Sequence, residues 1–169
     1  MTKFLPLRGE QGNTWTHLAG AVFALSSIWM VWPAVHRGWA MAMGVIFFIA
    51  GMFLMFLSST IYHCLPAGRA RDIMRRCDHI SIYVMIACSY TPICISVVGG
   101  IAGWTVFFIM WAVALCGAVY KIVAIGRYPR LSLALYLLMG WSVVFRDIQL
   151  IAQHCNPVMG RFSHISLLF

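Results

Sequence analysis

Residues 101–120 read "IAGWTVFFIMWAVALCGAVY", a run without one charged side chain or histidine. A helix of about 20 such residues, rising about 1.5 Å per residue, is long enough to cross the hydrocarbon core of a bilayer. Four further apolar stretches, at roughly 15–35, 40–63, 79–99 and 131–151, predict additional spans. The last is the least regular, because its apolar run over 131–145 meets Arg146 and Asp147, which either snorkel to the far interface or pair with each other. The chain is 62% hydrophobic and only 9% charged. A water-soluble domain has no way to hide that much apolar surface, so lipid is the solvent for most side chains.

The formal charge of +8 raises the possibility of nucleic acid, but its placement argues against it. The basic residues sit in short connections between apolar runs, as loops at a membrane surface do, and no recognition helix or aromatic–basic platform is visible. Counted by alternate connections, Lys3, Arg8, Arg69, Arg71, Arg75, Arg76, Lys121, Arg127 and Arg130 fall on one side, and Arg37, Arg146 and Arg161 on the other. The positive-inside rule then predicts a cytoplasmic N-terminus. Trp39 and Trp104 are expected near the outer interface and Trp15 near the inner one. The first span is too long for a short cleavable signal and reads as resident. Six cysteines lie mostly inside apolar runs and read as small buried hydrophobes. Gly44 and Gly51 lie seven residues apart, the spacing of a close-packing seam.

The segment "SSTIYHCLPAGRARDIMRRCDHISIY" closes the second span with His63 and opens the third with Asp78. Ser59 and His63 are four apart and share a helical face. In "EQGNTWTH", Glu10, Asn13 and His17 stand at i, i+3 and i+7, one face where the first helix enters the membrane. Three helices thus present polar groups at one depth, and lipid offers such groups no partner. One reading is anchoring: histidines near helix ends snorkel or bond a carbonyl, and Asp78 caps its helix electrostatically. The other is a zinc site, in which His63 is a ligand, Asp78 orients or deprotonates the attacking water, and Ser59 holds a ligand or substrate oxygen. A second grouping of His63, Cys64, Cys77 and His79 has only one adjacent pair at each end and is the weaker metal pattern.

Four stretches in order, "GEQGNTWTHLAG", "SSTIYHCLP", "RRCDHISIYVMIACSYTP" and "YPRLSLALYLLMGW", closely resemble the hemolysin III family, bacterial relatives of the progestin and adipoQ receptors. The resemblance covers about residues 9–145. It implies a seven-helix membrane protein with a cytoplasmic N-terminus. It also implies a zinc site near the inner leaflet, built from one histidine after helix two and an H-x-x-x-H pair on helix seven. His63 matches the helix-two ligand, Ser59 and Asp78 the accompanying serine and aspartate, and Glu10, Asn13 and His17 the N-terminal motif. The chain departs from the pattern after Phe145 and contains no H-x-x-x-H. In the tail "LIAQHCNPVMGRFSHISLLF", His154, Gly160 and His164 keep the spacing of the family's last stretch, with Leu150 where the first helix-seven ligand would stand. If helix five crosses outward, the stretch to His154 rises roughly 35 Å and leaves it far from His63.

The expected fold is an all-α integral membrane protein of about five transmembrane helices, resembling a truncated seven-helix bundle. It forms one transmembrane domain over 1–169 with a divergent tail at 146–169. Bacterial plasma membrane is the expected location, and membrane lipids are the expected partners. Three functions fit. The first is zinc-dependent hydrolysis of a lipid amide or ester, using His63, Asp78 and Ser59, with His154 as a second ligand only if helix five breaks at Arg146 and fails to cross. The second is non-enzymatic membrane perturbation or pore formation of the cytolysin or membrane-homeostasis kind, with the polar cluster only knitting helices together. The third is an inactive, shortened family member. Fold resemblance does not choose among them.

Overall fold

The computed structural model describes residues 9–124, 130 and 132–141. Four of its helices are long and apolar enough to cross a membrane: α1 (Gln11–His36), α2 (Trp39–Cys64), α3 (Arg69–Val98) and α4 (Gly100–Ala124). A shorter apolar helix, α5 (Ser132–Trp141), follows. The architecture is all-helical and transmembrane, close to the five spans expected. The second half of the expected fifth span, beyond Trp141, lies outside the described residues.

Prolines account for both irregularities in the long helices. In α1 the turn Ser27–Met30 is wound tightly as a 3-10 helix, just ahead of Pro33. A proline ring collides with the carbonyl four residues before it and donates no N–H, so the preceding turn must rearrange. In α3 the chain widens into a π-helix over Ile93–Val98, immediately after Pro92, and Gly99 N–H reaches back five residues to the Cys94 carbonyl. The turns joining the helices are short. Gly38 (φ +116°) reverses the chain between α1 and α2, and Gly99 (φ +62°) does so between α3 and α4, conformations a side chain would strain. At the end of α2, Leu65 is extended, as a residue preceding proline is steered to be.

One boundary differs from expectation. The third helix begins at Arg69 and not near residue 79, so Asp78 lies more than two turns inside it. Hydrophobicity marks where a helix is in lipid, whereas the backbone hydrogen bonds continue equally well beyond it, and Arg and Met are good helix formers. Asp78 therefore does not cap the N-terminus of α3. Asp72 occupies the first turn instead.

α3 is the centre of the bundle, packed by α2 and α4. Its buried Tyr83, Ala87, Tyr90 and Cys94 meet Met110 and Ala114 of α4 and Met139 of α5. Gly44 and Gly51 form the expected close seam. A Cβ on Gly44 would lie 2.6 Å from the Pro92 Cα, and one on Gly51 would lie 2.6 Å from the Cys88 Cβ. The small residues let α2 approach the backbone of α3, the way transmembrane helices gain packing without a hydrophobic driving force. The outward faces are apolar: Trp15, Trp39, Trp104 and Phe108 are all exposed, which only a lipid environment makes reasonable.

Candidate functional site

The starts of α1 and α3 and the end of α2 meet at one end of the bundle. Glu10 precedes α1, and its backbone carbonyl accepts the first helical bond, from Thr14 N–H. Its carboxylate thus sits at the positive end of the α1 dipole. Oε2 accepts from His63 Nδ1 of α2 at 2.7 Å and from Asn13 Nδ2 at 3.1 Å, while Oε1 accepts from Arg71 Nη2 of α3 at 3.0 Å. Three helices are tied through one carboxylate. The hydrogen bond from Asn13, then the histidine and the arginine, hold the Glu10 carboxyl below its usual range.

Further groups fix each partner. Arg71 donates through Nη1 to the Leu65 carbonyl at 3.1 Å, and its guanidinium lies 5.0 Å from the centre of the Tyr62 ring. The His17 ring lies parallel to that of His63, with centroids 5.6 Å apart. The structure therefore brings together Glu10, Asn13, His17 and His63. It adds Tyr62 and Arg71, the latter one of the basic residues of a membrane-surface connection. The available signal was the four-residue connection 65–68, which is too short to carry Arg71 away from the end of α2.

Asp78 and Ser59 lie outside this network of hydrogen bonds. The Asp78 carboxylate is 3.9 Å from His79 Nδ1, and the Asp78 carbonyl accepts from Ser81 Oγ at 2.7 Å. Ser59 is buried on α2. Its neighbour Ser58 makes the cross-helix bond, donating to Ser81 Oγ of α3 at 2.9 Å. His79 Nδ1 bonds the Arg75 carbonyl of its own helix at 2.7 Å. His154 lies outside the described residues.

A metal ion suits this cluster only in part. A carboxylate on Nδ1 fixes the tautomer of a histidine and leaves Nε2 as a ligand, the usual arrangement behind a metal-bound imidazole. A catalytic zinc site needs about three protein ligands, and among the described residues no group of three His, Cys, Asp or Glu stands close enough to hold one. The described residues do not by themselves fit a zinc centre.

These features define a multi-pass α-helical membrane protein whose helices are cross-linked by a polar cluster at one end. The family model described as "Haemolysin-III related" matches residues 6–167, and the chain belongs to that family. The match continues past Phe145 into the tail. The chain is 34% identical over 141 residues to a protein named "Hemolysin-3 homolog" from Bacillus subtilis (strain 168), covering 82% of this chain. It is 33% identical over 147 residues to one named "Hemolysin-3" from Bacillus cereus, covering 85% of this chain. Each match spans 66% of the relative's own length. No solved structure matches.

Proposed function

We propose that this chain acts on the bilayer itself, as a non-enzymatic membrane-perturbing or membrane-homeostasis protein of the hemolysin III type. In this reading it resides in a bacterial plasma membrane with its N-terminus in the cytoplasm, and the Glu10 cluster is the lock holding α1, α2 and α3 in register. The observation that carries this reading is that both oxygens of Glu10 are committed, one to His63 and the other to Arg71. A polar group in lipid must find a partner within the protein, and here the partners are each other. The names of the Bacillus relatives accord with action on membranes. The test is release of a dye trapped in liposomes on reconstitution. Leakage that persists with a zinc chelator supports the reading, whereas intact liposomes, or leakage abolished by the chelator, count against it.

One observation favours a second reading, a zinc-dependent hydrolase of a lipid amide or ester. Glu10 stands on Nδ1 of His63, the position of a group that orients a metal ligand. In that reading His63 holds zinc together with ligands beyond the described residues, His154 among them. The ion would supply Lewis acidity, with Asp78 and Ser59 in supporting roles. Release of fatty acid from a lipid amide or ester by the native protein, lost in His63→Ala, is its test.

A further inference from the structure

The first two turns of α3 carry charge that the Glu10 cluster does not use. Arg69, Ile73 and Arg76 are spaced i, i+4 and i+7 and share one helical face. All three are exposed, Ile73 to 52%. Among the described residues Arg69 has no ion pair. Asp72, the acidic group of these turns, is 4.0 Å from Arg75. Arg76 reaches across to α4 and donates through Nη1 to the Ile122 carbonyl at 2.7 Å, which fixes its guanidinium at the seam of the two helices. A guanidinium has five N–H donors, so most remain available. Directly along α4 from this point runs an exposed apolar stripe: Val123, Ile122, Val119 and Leu115, with Val123 79% exposed. Cationic donors thus stand at the head of a strip of lipid-facing surface, with an apolar Ile73 between them.

We propose that the α3–α4 seam is a binding site for an anionic phospholipid, whose phosphate is held by Arg76 and Arg69 and whose acyl chain lies along Leu115, Val119 and Ile122. Charge complementarity selects an anionic headgroup. Guanidinium binds phosphate through parallel N–H donors, and basic side chains at a membrane surface favour anionic lipid. The apolar stripe selects a tethered chain over a free phosphate ion. Ile73 enters the boundary between headgroups and chains, as the apolar face of an interfacial helix does.

The full chain reconstituted in phosphatidylcholine vesicles tests this with spin-labelled phosphatidylglycerol against spin-labelled phosphatidylcholine. The fraction of each probe immobilised by the protein gives their relative association. The native protein is expected to favour phosphatidylglycerol about five-fold per engaged arginine at low salt. That preference is expected to drop by about five-fold in R69Q, by more in R69Q/R76Q, and to be unchanged in R37Q at the opposite end of the bundle. R69Q touches no internal ion pair among the described residues, so it keeps the test readable if the double variant loses helix content by circular dichroism. Equal association of both probes with the native chain would overturn the proposal. So would a preference that survives R69Q, or one lost equally in R37Q.

Discussion

His63 at the end of α2 donates through Nδ1 to the Glu10 carboxylate ahead of α1, 2.7 Å away across 53 positions of sequence. The same carboxylate receives Arg71 of α3 at 3.0 Å, so losing Glu10 strips a partner from two other helices at once. In a double-mutant cycle of Glu10→Gln and Arg71→Gln, the coupling energy is expected at about 0.5–1 kcal/mol, since the pair is partly exposed. Thermal unfolding in detergent measures it. A coupling near zero would mean that the ion pair is only incidental to the bundle.

Acid should release the same contact. The Glu10 carboxyl is held below its ordinary value of 4.5, first by Asn13 and then by His63. A carboxyl lowered on folding contributes stability that is present above its unfolded value and lost as pH falls through its folded one. The stability gap between the native protein and Glu10→Gln is therefore expected to shrink as pH falls below about 4.5. Melting curves at stepped pH follow it. A gap that instead widened below about pH 4.5 would reverse the sign of the Glu10 contribution.

The α2–α3 seam should tolerate no added methyl at its tightest point. A Cβ at Gly44 would stand 2.6 Å from the Pro92 Cα, and backbone cannot rotate away as a flexible side chain can. Gly44→Ala is expected to cost about 1–3 kcal/mol through overpacking. Gly12→Ala, with open space around it in the first turn of α1, is expected to be neutral or slightly stabilising. Comparing the two melting temperatures separates packing from helix propensity.

Docking of α5 rests in part on one phenol. Tyr136 donates to the His79 carbonyl of α3 at 2.9 Å, and its ring lies 4.4 Å from that of Tyr83. Tyr136→Phe keeps the ring contact and removes the hydrogen bond, with an expected loss of about 1 kcal/mol. The melting temperature in detergent should fall correspondingly. No change in the Tyr136→Phe variant would show that the other contacts of α5, the hydrogen bond from the Tyr90 hydroxyl to the Met139 carbonyl among them, hold it without this bond.

The crossings were legible because length and apolarity are what a bilayer demands of a helix, and 101–120 meets that demand without ambiguity. The Gly44–Gly51 seam was legible from spacing alone. The start of α3 was not, because a helix leaving the membrane keeps its hydrogen bonds while its composition turns polar over 69–77. Half of the candidate site was readable from i, i+3, i+7 spacing, which set Glu10, Asn13 and His17 on one face. Arg71 escaped because an arginine in a basic connection reads as a topology signal, and only the three-dimensional approach to Glu10 reveals its second role. That Ser58, and not Ser59, bridges to Ser81 depends on a rotation of about 100° around the helix, finer than spacing across two helices can fix.

The most direct test of the lock is the metal content of the purified native protein, measured with His63→Ala and His154→Ala alongside. If Glu10, His63 and Arg71 serve one another, zinc is expected well below one ion per chain and unchanged by either substitution. About one zinc per chain, lost in His63→Ala, would contradict the account and make the Glu10–His63 pair part of a metal centre.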